Sequence, residues 1–220
     1  MTQCATLSER FAAANSALPL VAILRGVRPE EAVDVGVCLV DAGFRLIEVP
    51  LNSPDPFSSI AALRQALPEE VLVGAGTVLG IGQIGPLCET GAELAVMPHA
   101  DVTVIRAVKA AGLLCMPGVV TPTEAFAALA AGADALKIFP AELVTPAVLR
   151  ALCAVLPKGC GLLPVGGIRP ESLKPYRDAG ATGFGLGSAL YKPGMSTKQI
   201  ASMARQFVAA WRDVQVTVSN

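Results

Sequence analysis

A single histidine, His99, stands in 220 residues, so a metal centre built from several imidazoles is impossible and a zinc-dependent mechanism is disfavoured. The six cysteines, at positions 4, 38, 88, 115, 153 and 160, form no CxxC pair. In a chain of this length such scattered thiols read as small buried hydrophobes in a reducing cytosol, not as a disulfide framework. Charge is scarce, at 16% of residues, and nearly balanced: 18 acidic against 17 basic side chains leave a formal −1. That argues against general binding to nucleic acid or to an anionic membrane, and leaves room for one local basic pocket. Long apolar runs are missing too, since none reaches the roughly 18 residues that a spanning helix needs. Met1 to Ala17 lacks a basic segment followed by an apolar one, so no signal peptide is expected and the chain is placed in the cytoplasm.

Apolar residues are plentiful, at 53%. Such a fraction suits a parallel sheet, whose strands are covered on both faces and read as near-continuous apolar runs. A short apolar run, a Gly/Pro/Asn turn and an amphipathic stretch recur along the chain. Strands are expected at Pro19–Leu24, Leu46–Leu51, Val71–Val78, Leu94–Pro98, Leu113–Val119, Ala135–Phe139, Leu162–Gly166 and Gly183–Leu186. Helices fit between and after them at Pro29–Asp41, Pro56–Leu67, Ile81–Thr90, Asp101–Ala110, Thr123–Ala130, Pro146–Leu156, Pro170–Asp178 and Thr197–Val214. Several open on proline or a capping residue, and five stop at glycine (Gly43, Gly91, Gly112, Gly132, Gly180). A further short helix near Leu7–Ser16 is expected to cover the barrel floor. Asn52 to Asp55 is the most turn-like loop, and Val216 to Asn220 is expected to be disordered. Eight βα units with no composition shift predict an α/β fold, a single (β/α)8 TIM barrel with a short N-terminal helix, spanning 1–220 as one domain.

In such a barrel alternate strand residues face the interior, and active sites form where the strands' C-terminal ends meet. Alternation turns Lys137 inward in strand six, between Leu136 and Ile138. It likewise puts Glu48 inside strand two, Arg25 after Val21 and Ile23, and Thr77 after Val73 and Ala75. A buried lysine and glutamate can be a structural ion pair, but desolvation makes such pairs weak sources of stability. A catalytic role fits better. At pH 7 and a pKa of ~10.4, only about one amine in 2,500 is uncharged. Burial, or a neighbour such as Arg25, lowers that pKa and frees an amine able to form a Schiff base with a ketone. Glu48, the one acid expected inside the mouth, would carry the protons.

Glycine marks a second site. Gly166-Gly167 ends strand seven and Gly185-Leu186-Gly187-Ser188 ends strand eight, the usual phosphate position in barrels. Glycines there let backbone N–H groups approach an anion; tight turns and close packing are the alternative. His99, after Pro98 at the end of strand four, either touches substrate or sits in a solvated loop. Phe139 and Pro140 would wall the pocket, and Trp211 reads as packing.

The segments Ala22-Ile23-Leu24-Arg25-Gly26, Ile47-Glu48-Val49-Pro50-Leu51-Asn52-Ser53-Pro54, Gly74-Ala75-Gly76-Thr77-Val78, Leu136-Lys137-Ile138-Phe139-Pro140 and Val165-Gly166-Gly167 resemble the KDPG/KHG aldolase family, in order, from about Leu18 to Trp211. The resemblance implies a class I aldolase without a cofactor, usually a homotrimer. It implies cleavage of 2-keto-3-deoxy-6-phospho sugar acids to pyruvate and glyceraldehyde 3-phosphate. Lys137 would form the Schiff base and Glu48 act as general acid/base. Arg25, Thr77, Pro98 and Phe139 would hold the keto-acid end, and Gly166, Gly167, Gly187 and Ser188 the phosphate. Asn52 and Val165 resemble the 6-phosphogalactonate branch, where gluconate-type members carry arginine and threonine. Pro164 is instead similar to the gluconate branch, and His99 stands where asparagine or glycine is expected, so activity on both C4 epimers remains open. Phosphate-binding barrels also host epimerases and isomerases, which need no Schiff base. A non-catalytic sugar-phosphate binding module would be expected to lose Lys137 or Glu48.

Overall fold

Each apolar run becomes a short buried strand and each amphipathic stretch a helix. The structure, a computed structural model, describes residues 5–218, with side chains described as far as 214. Helix α1 (Leu7–Ala17) leads into β1 (Leu20–Ile23), α2 (Pro29–Asp41), β2 (Leu46–Pro50), α3 (Pro56–Ala66) and β3 (Leu72–Gly76). There follow α4 (Ile84–Glu89), β4 (Leu94–Val96), α5 (Val102–Ala110), β5 (Leu114–Met116), β6 (Gly118–Val119) and α6 (Pro122–Ala130). The chain ends with β7 (Leu136–Ile138), α7 (Pro146–Cys153), β8 (Leu162–Pro164), α8 (Leu173–Asp178), β9 (Phe184–Leu186) and α9 (Thr197–Val218).

Local chemistry accounts for the helix ends. Asp101 caps α5 by accepting from the N–H groups of Thr103 and Val104, and Thr121 with Glu124 forms a reciprocal capping box at α6. The five expected stop glycines all lie at positive φ, where a side chain would be strained. Helix α9 runs past Val214 to Val218, so the backbone of 216–218 is helical and not disordered as expected. Ser219 and Asn220 lie outside the described residues, as does Cys4.

Two expected helices are each divided into a 3-10 turn and a shorter α-helix. These are Ile81–Gln83 before α4, and Pro170–Ser172 before α8. Pro86 and Pro175 have no N–H to give the carbonyl four residues back, which is where each division falls. Proline divides the fifth expected strand as well. Pro117 separates β5 from β6, and the two halves join different sheets.

All strand pairs are parallel, but the pairing is not the single eight-stranded ring expected. One curled sheet has the order β5-β4-β3-β2-β1-β9 and a second has β6-β7-β8. At one seam the Asp134 N–H, just before β7, donates to the Cys115 carbonyl of β5 at 2.9 Å. At the other, Val165 and Gly185 form an isolated parallel bridge, and the Thr182 N–H donates to the Leu162 carbonyl at 2.9 Å.

Alternation along the strands separates two cores. Ala22, Ile47, Val73, Ala95, Leu136 and Leu186 belong to the larger one, packed with the helices. Val21, Leu46, Leu72, Leu94, Leu114 and Leu163 form the inner one, against which Leu7, Phe11 and Ala14 of α1 pack. Helix α1 therefore covers the end of the sheet from which the strands start, as expected. No helix among the described residues is long and apolar enough to cross a membrane.

Candidate functional site

One layer above the inner leucines, two ionisable side chains enter an otherwise apolar interior. Glu48 of β2 is 1% exposed and Lys137 of β7 is 5% exposed. Both line a narrow cavity with Val21, Ile23, Val96, Met116, Leu163, Val165 and Gly185. The expected inward phase of strands one, two and six therefore holds.

The environment acts on both groups in the direction that favours proton exchange. Burial pushes the Glu48 carboxyl up to about 7, against smaller lowering by the charges of Lys137 and Arg25. Burial likewise draws the Lys137 ammonium below its ordinary value, with Glu48 opposing and Arg25 adding to the effect. Glu48 and Lys137 are not a hydrogen-bonded pair among the described residues. Glu48 Oε2 is buried with no hydrogen-bond partner among the described residues, and Lys137 Nζ lies 4.6 Å from the centre of the Phe139 ring. An orphaned carboxylate oxygen facing a cavity is costly unless a bound molecule completes it.

Room for that carboxylate comes from Gly76, a residue not among the expected site positions. A Cβ on Gly76 would lie 1.6 Å from Glu48 Oε2, so no other residue fits there while Glu48 keeps its position. Leu72, Gly74 and Gly76 are the inward residues of β3, the reverse of the phase expected for that strand. Val73 and Ala75 lie in the outer core instead. Thr77 leaves the strand end half-buried at φ 55°, so a backbone kink places it and not strand alternation. The signal was present: two glycines two apart inside a strand mark a close approach by something else.

The rim is tied together by the loops after β1 and β2. Arg25 is exposed, and its Nη1 donates to Asn52 Oδ1 at 2.7 Å. The Gly26 N–H donates to Ser53 Oγ at 2.9 Å, which makes the buried Ser53 a second clamp, a role not among those expected from the sequence. His99 is half-buried. Its Nδ1 accepts from the Asp101 N–H, which leaves Nε2 as the donor to the Leu79 carbonyl at 3.3 Å. The ring thus links two loops, and both its nitrogens are engaged. Pro98 and Phe139 are half-buried beside the strand ends.

The glycine loops lie where β8 and β9 end. Gly166 and Gly167 turn at φ 110° and 62°. The N–H groups of Gly167, Ile168 and Ser188 have no hydrogen-bond partner among the described residues, whereas the Gly187 carbonyl accepts from Leu190 and Tyr191.

This arrangement has relatives. The KDPG and KHG aldolase family model matches residues 12–205. The chain belongs to that family. A probable 2-dehydro-3-deoxy-6-phosphogalactonate aldolase of Rhizobium meliloti (strain 1021) is 47% identical over 193 residues, which is 88% of this chain and 91% of that protein. The 2-dehydro-3-deoxy-6-phosphogalactonate aldolase of Escherichia coli (strain K12) is 46% identical over 196 residues, covering 89% and 96%. A solved native KDPGal structure superimposes with a TM-score of 0.88 at 46% identity, covering 90% of this chain and 96% of that one. The aldolase family match includes every residue named above for the keto-acid end and for the two glycine loops.

Proposed function

We propose that the chain is a Schiff-base aldolase that cleaves 2-dehydro-3-deoxy-6-phosphogalactonate to pyruvate and glyceraldehyde 3-phosphate. The observation that carries the mechanism is the buried Lys137, drawn toward neutrality beside a carboxyl whose Oε2 has no hydrogen-bond partner among the described residues. The neutral amine attacks the C2 ketone, and water leaves to give an iminium. Glu48 takes the proton from the C4 hydroxyl, the C3–C4 bond breaks, and its electron pair passes into the iminium as an enamine. The aldehyde departs. Protonation at C3 and hydrolysis of the iminium then release pyruvate and restore the amine.

Arg25, held by Asn52, would meet the substrate carboxylate with Thr77, while Pro98 and Phe139 flank the keto-acid. The Gly166-Gly167 and Gly187-Ser188 loops, with their open N–H groups, would take the phosphate. The names of the relatives at 46–47% identity support the galactonate epimer, as do Asn52 and Val165. We also infer a single closed (β/α)8 barrel domain, with the bonds at the two seams supporting closure, assembled as a homotrimer in the cytoplasm.

The test is pyruvate release from each purified C4 epimer, with Lys137→Ala alongside. Faster release from the galactonate epimer, lost in the variant, is expected, together with borohydride trapping of pyruvate on Lys137. Equal turnover by Lys137→Ala would overturn the mechanism, and faster release from the gluconate epimer would overturn the substrate. Absence of trapping would point to a proton-transfer isomerase.

A further inference from the structure

The loop after β7 brings an acid to the glycine turn that follows β8. Cβ atoms built on Gly166 and Gly167 would lie 2.3 Å from Glu142 Oε2 and 3.1 Å from Glu142 Oε1, so this carboxylate rests over both glycines. The loop beneath it is held from two sides. The Ala141 N–H donates to the Val165 carbonyl at 2.8 Å, and the Ala141 carbonyl accepts from the Tyr176 hydroxyl at 2.8 Å. Glu142 itself is exposed, and its carboxylate has no hydrogen bond or ion pair among the described residues. Its charge nevertheless reaches its neighbours: burial first, and then Glu142, pushes the Tyr176 phenol above its ordinary value.

The Glu142 carboxylate thus places a negative charge against the loop proposed above to take the phosphate. We propose that Glu142 is a charge gate on the phosphate loop, a specificity residue that substrate phosphate must repel or displace to reach Gly167 and Ile168. The inference rests on the phosphate role given above to the Gly166-Gly167 loop. Glu142 weakens ground-state binding of the phosphorylated end without touching the carbonyl chemistry at Lys137. Binding energy withheld equally from ground state and transition state keeps KM high and leaves kcat unaffected.

Glu142→Gln keeps the size of the side chain and removes its charge. Removal of one like charge at a solvent-accessible anion site is expected to tighten inhibition by inorganic phosphate about 3- to 10-fold. KM for the phosphorylated sugar acid should fall by a similar factor with kcat unchanged. The kcat/KM for the same sugar acid without its phosphate should not move, which a merely structural role for Glu142 would not produce. Wild-type inhibition by phosphate with an unchanged constant in the variant would overturn the gate and leave the phosphate loop standing. No inhibition of the wild type by phosphate would overturn both.

Discussion

Glu48 holds its proton differently in the folded and unfolded chain, and this difference fixes how activity and stability vary with pH. In the folded chain burial pushes its carboxyl up to about 7, from the 4.5 of a free side chain. As pH falls through 7 the Glu48 carboxylate takes up a proton, and the base that the C4 hydroxyl needs is lost. The plot of log kcat/KM against pH should therefore bend near 7 and fall on its acid side with a slope near one. Glu48→Gln should lose this limb together with about 100- to 10,000-fold in kcat. For stability the sign is opposite. The folded chain keeps the proton up to about 7 whereas the unfolded chain releases it near 4.5, so this contribution is complete below 4.5 and lost as pH rises through 7. The urea midpoint of the wild type should accordingly fall relative to Glu48→Gln between pH 4.5 and 7. Lys137 and Glu48 were legible in the sequence because an ionisable residue inside an apolar strand violates the pattern around it. Gly76 was legible only in part: two glycines two apart in a strand mark a close approach, but the carboxylate that makes it belongs to the neighbouring strand.

Elements are fastened together at the closed end of the sheet by ion pairs that link residues far apart in sequence. Glu93, just before β4, pairs through Oε1 with Arg10 of α1 and through Oε2 with Arg64 of α3 at 2.8 Å. Oε2 also accepts from the Val73 N–H at 3.2 Å. All three side chains are largely buried, so removal of the central carboxylate leaves two guanidinium groups with uncompensated charge. Glu93→Gln should cost about 3 kcal/mol in urea unfolding, because breaking a buried pair is far more damaging than its net worth suggests. Lys174→Ala serves as the contrast. Its pair with Asp178 at 2.9 Å is about half exposed and lies within one helix turn, so a loss under about 0.5 kcal/mol is expected. Equal losses would mean that the cluster holds α1 no more firmly than a surface pair would. The existence and order of these elements could be read from apolar periodicity and the stop glycines. The divisions at Pro86, Pro117 and Pro175 could have been read too, since a missing N–H must interrupt a helix or a ladder wherever it falls. The Arg10–Glu93–Arg64 cluster could not, because nothing local joins residues 10, 64 and 93 until the strands are in register.

At the scale of the whole molecule, the proposed homotrimer sets a requirement that one chain can be tested against. A three-fold ring is head-to-tail, so each copy must offer two different patches, one fitting the other on its neighbour. Large apolar side chains are exposed in separate places along the chain: Leu79 and Ile81 after β3, Phe126 on α6, and Leu143 and Val148 after β7 and on α7. Such a distribution suits two unlike patches better than one self-complementary face. Wild-type protein should sediment at three times the 22.5 kDa mass of the chain. A double substitution, Leu79→Glu with Ile81→Glu, should dissociate the ring, and so should Phe126→Glu alone, each leaving monomers. The decisive outcome comes from mixing the two variants. If their lesions lie on opposite partners of the interface, each retains the patch that the other has lost. One intact contact can then form, and the mixture should sediment as a dimer that can neither close nor grow. Two lesions on the same patch would leave the mixture monomeric, and a wild-type mass of twice the chain would replace the ring with a two-fold dimer.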